Sequence, residues 1–436
     1  MKPWTFATAV ALILLPGLSH AQGPALDSAR QQAIIDKTIQ LVIANYVYPE
    51  RAKAVEATLR SNVRAGKYVS LTRPDEFLDT LNNDMQVAGQ DKHLRVIYNP
   101  RMAAQLKLDE SGATQTSPEF VSMMRKENFR LRKAESLEGN VGYFKLDNFV
   151  ELRFVSDALV GAMNFLHNSS ALIIDLTDNG GGASETSDLL VSYFLPAGTR
   201  TSESWDRTTN KTRVSTVTLS PEVRQLLDIP LFVIVSERTA SAAEAVAYTL
   251  QQAKRAVVVG SRTKGMANPG RHFLIDDRLL VMVPTTLNKN AVSGTNWEGT
   301  GVAPDIEVAS VMSLDRAMEQ ALKCLAERES DAGEKYRLRF LAQPYAARVT
   351  PQAPPDGFLE ACPGEYEDGQ RIVMDKGALH YVKGETNRSM SYMGDHTFMV
   401  EGRTDYRLKF GFDGTRVTRL EVLWFDDTSE LHSRTN

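Results

Sequence analysis

From residue 140 to residue 260 the chain alternates short, almost wholly apolar runs with amphipathic stretches: NVGYFKL, RFVSDALVGAMNFLH, ALIIDL, SETSDLLVSYFL, PLFVIVS, SAAEAVAYTLQQA and AVVVG. Strands that are apolar throughout must be covered on both faces. The pattern therefore predicts an α/β layer around a buried, largely parallel sheet. In such sheets functional loops gather beyond the carboxyl ends of the strands. Two of the runs end there in an unusual way. ALIIDL leads through Asn179 into Gly180, Gly181 and Gly182, and PLFVIVS leads through a turn of small residues to Ser241, which opens a helical pattern.

A hydroxyl mounted between a strand and a helix, beside backbone N–H groups exposed by glycines, supplies the minimum parts of an acyl-transfer site. Each part also has an ordinary reading. Ser241 and Glu244 make an S-x-x-E capping box, a common helix start, and the surrounding TASAAE lacks the glycines of a G-x-S-x-G elbow. The glycine triplet suits an oxyanion hole and equally a tight packing turn. It has neither a G-K-[ST] ending nor G-x-G-x-x-G spacing, so nucleotide binding is a poor reading. His93, in DKHLR, and Glu298, in WEGTGVAPD, are by themselves a lone histidine and a loop acid. No H-E-x-x-H or Cys/His cluster is present among the seven histidines and two cysteines, and neither a cofactor nor a metal is expected.

The flanks differ in texture. The first residues carry Lys2, an apolar core at 7–15, a Pro16-Gly17 breaker and Ser19-His20-Ala21. These are the parts of a secretory signal peptide cleaved after Ala21, and the apolar core is short of the roughly 20 residues that span a bilayer. An extracytoplasmic (periplasmic or secreted) mature chain is expected. Residues 22–90 repeat apolar positions at helical spacing and read as a three-helix unit. Two strand-like pieces follow, HLRVIYN and NVGYFKLDNF, joined by a polar connection. The core is bounded at 91–335, and its last stretch, SLDRAMEQALKCLAERES, is helical. Four prolines and a glycine make 336–357 a linker, and 358–436 reads as a small antiparallel β-barrel or sandwich. With a net charge of -4 and no basic run, nucleic acid and membrane surfaces are not indicated as partners. Cys324 and Cys362 allow one disulfide or two free thiols.

Taken in order, DKHL at 91–94, GNVGY at 139–143, IDL at 174–176 with NGGG at 179–182, TASAAE at 239–244, VG at 259–260 through ANPG at 267–270, and EGTGVAPD at 298–305 resemble peptidase family S41. This is the family of the tail-specific proteases, tricorn protease and interphotoreceptor retinoid-binding protein. The resemblance implies a crotonase-like ββα core and a serine peptidase with Ser241 as nucleophile. It implies an oxyanion hole from the N–H groups of Gly181 and Ala242. The tail-specific branch uses a lysine in a G-K-G segment, but here Gly265 is followed by Met266, and Lys264 is out of register. The tricorn and retinoid-binding-like branch implies His93 as base and Glu298 as its orienting acid. The chain departs from that branch at Lys92, where a helper serine is usual, and at Thr177, where many members carry arginine. It has no room for a PDZ-sized insertion between His93 and Gly139.

The resulting expectation is a secreted peptidase acting on polypeptides. Two readings compete with it: a non-catalytic binder of lipid-like or retinoid-like ligands on the same fold, and an esterase or amidase using the same chemistry on small substrates. Self-association into a ring or dimer is left open by the sequence.

Overall fold

The computed structural model describes residues 25–110, 118–414 and 416–435. The expected leader and its expected cleavage site lie outside them. No helix among the described residues is long and apolar enough to cross a membrane.

Helices α1 (Ser28–Asn45), α2 (Pro49–Arg64) and α3 (Pro74–Gly89) open the chain, and strand β1 (Arg95–Tyr98) follows. Asp27 caps α1 through the Arg30 N–H, and prolines at the first positions of α2 and α3 fit where a helix has no use for the missing donor. The helices do not close on themselves. Ile35, Val42, Leu59, Phe77 and Leu81 share a core with Val96 of β1 and with Val281 and Val283 from much later in the chain.

The polar connection after β1 contains two helices, α4 (Pro100–Glu110) and α5 (Pro118–Lys126). Strands β2 (Leu131–Leu137) and β3 (Val141–Leu146), helix α6 (Leu152–Phe165), β4 (Ala171–Asp175) and α7 (Ser184–Ser192) lead into a hairpin of β5 (Arg200–Asp206) and β6 (Lys211–Thr216). Then come β7 (Leu231–Val235), α8 (Ala242–Gln252), β8 (Val257–Gly260), β9 (Gly270–Leu274), β10 (Leu279–Pro284), β11 (Thr286–Asn290), β12 (Ile306–Glu307) and α9 (Ser313–Arg328).

Six of these strands form the central sheet, in the order β12-β8-β7-β4-β3-β2; neighbours from β12 to β3 run parallel and β2 is an antiparallel edge. Leu172, Ile174, Leu231, Val233 and Val235 face a core with α6, α7 and α8. Ala171, Ile173, Phe232 and Ile234 face α9 and residues beyond it. Helices on both sides explain why the strand runs are apolar without alternation. A smaller antiparallel sheet, β1-β10-β9, carries the N-terminal helices.

The expected linker from 336 is helical in its first part: α10 (Ala332–Val349) runs through Pro344. Leu338, Leu341 and Ala342 of α10 bury against Ala317, Met318 and Leu322 of α9. That packing offsets the roughly 3 kcal/mol that an interior proline costs a helix. Past it, residues 364–433 form eight antiparallel strands in sequence order. The first and last approach each other through a bridge between Tyr366 and Arg434 and the Thr435 N–H to Glu365 carbonyl bond, so the sheet nearly closes as a barrel around Phe358, Phe398, Leu408 and Phe410. Cys324 and Cys362 are both free, and burial pushes the Cys362 thiol up to about 12.

Candidate active site

Parallel pairing of β4 with β7 puts their carboxyl ends side by side. The turn after β7 is stitched to the segment after β4: the Thr239 hydroxyl donates to the Leu176 carbonyl (2.7 Å), and the Ala240 N–H donates to the Asn179 carbonyl (3.0 Å). Ser241 therefore stands where the sequence expected it, at the start of α8. Its backbone is at φ 55°, ψ -119°. An ordinary N-cap residue sits in the extended region, whereas this conformation strains any side chain bearing a Cβ. Such strain persists when its surroundings over-determine it. They do so here through Glu244. Its carboxylate, fully buried, accepts from the Ser241 N–H (2.8 Å), the Thr263 hydroxyl (2.5 Å), the Gly265 N–H (2.7 Å) and the Met266 N–H (2.9 Å). The S-x-x-E signal is thus real, but it extends to a distant loop.

The glycine triplet packs directly against this turn. A Cβ on Gly181 would lie 2.7 Å from the Ser241 Cβ and 3.0 Å from the Ala242 nitrogen, and Gly181 has φ +100°. Gly182, at φ +141°, leaves no room for a Cβ because the Phe149 carbonyl lies 2.0 Å away. Among the described residues the Ala242 N–H has no hydrogen-bond partner. The N–H of Gly181 is already engaged. It donates to the Asn179 side-chain oxygen (2.8 Å), so the structure delivers the glycine but not a free donor. Asparagine readily makes this local turn onto the N–H two residues on.

His93 and Glu298 meet in a second cluster. Gln90 ends α3 in the left-handed conformation, and Asp91 then accepts the His93 N–H (2.8 Å) and the Tyr46 hydroxyl (3.0 Å). The His93 ring is buried, with Nδ1 3.4 Å from Asp91 Oδ1. One donor atom each from Asp91, His93 and Glu298 lie within 4.8 Å of one another. Glu298 Oε2 accepts the N–H groups of Ala267 (2.8 Å) and Asn268 (3.0 Å), while Oε1 is buried without a partner. Burial and the charge of Asp91 push the Glu298 carboxyl up to about 7, against the pull of His93 and the two N–H groups. The same trio is a ligand set that a divalent cation accepts.

Residues 263–268 join the two clusters as a strap. One end holds Glu244, the other holds Glu298, and in the middle the Lys264 N–H donates to the Thr239 carbonyl (3.0 Å) while the Lys92 ammonium donates to the Lys264 carbonyl (2.7 Å). Met266, where the tail-specific branch has its lysine, is buried. No direct hydrogen bond links His93 to Ser241 among the described residues. Sequence reasoning passed over Asp91 as a partner of His93, although the D-x-H spacing carried the signal, and gave Glu244 a local role alone. A polar depression of about 570 Å³ beside Tyr248 and Trp297 lies elsewhere and includes neither Ser241 nor His93.

The order of the motifs along the chain is that of a peptidase family. The profile of Peptidase family S41 matches residues 140–308, and that of the N-terminal domain of Peptidase_S41 in eukaryotic IRBP matches residues 18–133. The chain belongs to peptidase family S41. It is 31% identical over 200 residues to carboxyl-terminal-processing peptidase 1, chloroplastic, of Arabidopsis thaliana, covering 45% of this chain and 39% of that one. It is 27% identical over 179 residues to a carboxy-terminal-processing protease of Bartonella bacilliformis, covering 39% of each. The chain thus spans about two-fifths of the length of either relative. A solved lipoprotein from Streptococcus agalactiae is similar at a TM-score of 0.45 and 14% identity, over 70% of this chain and 98% of that one.

Proposed function

We propose that this protein is a serine peptidase that hydrolyses polypeptide bonds with Ser241 as nucleophile, His93 as base and Glu298 as the acid behind it. The observation that carries this reading is the backbone of Ser241. A plain helix cap needs no left-handed serine, whereas a nucleophile presented on a sharp strand-to-helix turn does.

His93 Nδ1 is buried 3.4 Å from Asp91 Oδ1 without a hydrogen bond, and on this reading Nε2 serves the serine. In the proposed cycle Ser241 Oγ bonds to the substrate carbonyl carbon as its proton passes to His93 Nε2. The carbonyl oxygen becomes an oxyanion against the Ala242 N–H. Gly181 contributes its N–H as the second donor once the Asn179 oxygen releases it. The imidazolium returns its proton to the leaving amine, and the C–N bond breaks. Water then repeats the sequence on the acyl-enzyme, releasing the acid and restoring Ser241. Glu298 and Asp91 stabilise the imidazolium while it exists. Its place of action, on this reading, is extracytoplasmic, supported by the leader at residues 1–21.

Fluorophosphonate labelling of the mature protein tests the assignment. Wild type is expected to label, and Ser241→Ala and His93→Ala to lose labelling by about 10³-fold or more while remaining folded. Labelling that survives His93→Ala points to a different base. A wild-type protein that does not label sinks the peptidase reading and leaves the ligand-binding one.

A further inference from the structure

A group of basic side chains beside the site forms no ion pair among the described residues. Arg95 lies on β1, directly opposite Met282 of β10, and His272 of β9 is directly opposite Met282 from the other side. Residues in register across a sheet share a face, so Arg95 and His272 stand on one face about 10 Å apart at their backbones. Their sequence neighbours Val96 and Phe273, with Val281, turn to the opposite face and its helical core. Arg95 is largely buried, its Nε has no hydrogen-bond partner, and among the described residues it forms no ion pair. His272 Nε2 is likewise buried and unpartnered.

Lys264 joins this pair from the strap. Burial and the charges of Arg95 and Lys92 push its ammonium down from the usual lysine range. Burial and Arg95 push His272 down to about 4, which makes it a neutral donor or acceptor at ordinary pH. The one acid that acts on Lys264 is Glu244, and its two oxygens already hold four donors. Guanidinium and ammonium groups taken out of water without a counter-charge are costly, and an incoming anion removes that cost. The place is next to the chemistry: Lys264 is bonded to the Thr239 carbonyl, two residues before Ser241, and Lys92 is adjacent to His93.

We propose that Arg95, Lys264 and His272 form a subsite for a carboxylate carried by the polypeptide substrate. That the carboxylate belongs to a substrate rests on the peptidase reading; the anion subsite itself does not. Either the terminal α-carboxylate or an acidic side chain supplies the shared chemistry. Arg95 offers the planar fork that pairs with a carboxylate through two parallel bonds, and Lys264 adds a point charge.

The test uses the full chain carrying Ser241→Ala, so that bound peptide is not cleaved. Three acetylated alanine peptides are titrated: one ending in a free carboxylate, its carboxamide, and a carboxamide with one glutamate. The free acid, the glutamate peptide or both should bind at least about tenfold more tightly than the plain amide, and Arg95→Gln should remove that preference. Tightening by the free acid alone assigns a terminal-carboxylate site, and tightening by glutamate alone assigns an acidic-residue site. Equal binding of all three overturns the proposal. If Arg95→Gln does not fold, Lys264→Gln is read in its place, and a preference that persists in every folded variant overturns the proposal as well. Fluorophosphonate labelling of wild type is scored separately. Its failure beside a persistent carboxylate preference removes the peptidase reading and leaves the subsite standing.

Discussion

The two ends of the 263–268 strap treat a buried carboxylate in opposite ways. Glu244 gives both oxygens to four donors, one of them the N–H of the strained Ser241. Glu298 gives one oxygen to two N–H groups and leaves the other bare, beside Asp91 and His93. A fully satisfied network fixes a single arrangement, whereas an undersupplied one keeps its charge state adjustable. The difference assigns rigidity to the Ser241 turn and an adjustable charge to the Glu298 end.

The sharpest way to break this comparison is Glu244→Gln. Glutamine offers one acceptor oxygen and sets an NH₂ against donors that have nowhere else to turn. We expect a loss of about 3 kcal/mol in thermal or denaturant unfolding, and a fall in Ser241 labelling even where the variant is folded. A loss under about 1 kcal/mol would show that the four-donor network does not hold the turn.

Gly181→Ala acts on the same rigid end from the other side. The new Cβ would press on Ser241 at 2.7 Å and would have to accept φ +100°. The expected result is a drop in labelling of about 10²-fold with about 1–3 kcal/mol of destabilisation, since the new group meets the Ser241 Cβ and the backbone of Ala240 and Ala242 on either side of it. Near-normal labelling in the alanine variant would mean that Gly181 is there for packing alone.

At the adjustable end the signature is pH. Glu298 has its carboxyl raised from 4.5 to about 7. Below pH 4.5 both folded and unfolded chains hold the proton, so the group contributes nothing to the pH dependence. Between 4.5 and 7 the unfolded chain releases it first, and stability falls as pH rises. The fall is no more than about 3 kcal/mol, because the carboxyl keeps some contact with water. Glu298→Gln should flatten this part of the melting-temperature profile. It should also lower kcat/KM about 10- to 100-fold and erase an acid limb near pH 7, above which the ionised carboxylate supports the imidazolium. An acid limb that is unchanged in the glutamine variant would assign it to another group.

The sequence exposed the core because its strands had to be apolar on both faces, and their ends marked Gly181 and Ser241. It concealed the strap's work. Nothing in the spacing from Glu244 to Thr263, Gly265 and Met266 follows a helical or strand period, since these contacts come from a loop folded back by the pairing of β9 with β10. Asp91 was legible in D-x-H, but its burial against Tyr46 depends on α1 packing beside α3. Helix α10 was hidden by Pro344, because a local breaker signal cannot register the apolar surface of α9 waiting to be covered. In each case a long-range contact overruled a local rule.

Lys92 tests the middle of the strap, where the smallest effect is expected. It stands where the tricorn pattern has a helper serine, and its exposed ammonium donates to the Lys264 carbonyl at 2.7 Å. If the strap is held at its two carboxylates, this contact is dispensable. Lys92→Met removes one charge-assisted bond at a solvated position, and we expect under about 1 kcal/mol of destabilisation. Labelling should change by no more than about threefold, since neither Ser241 nor His93 bonds to Lys92. Serine at this position should behave like methionine, because its hydroxyl is too short to span the gap that the lysine chain bridges. A loss of labelling comparable to that of Glu298→Gln would instead make Lys92 part of the base's support, and the strap would then have three anchors of similar weight.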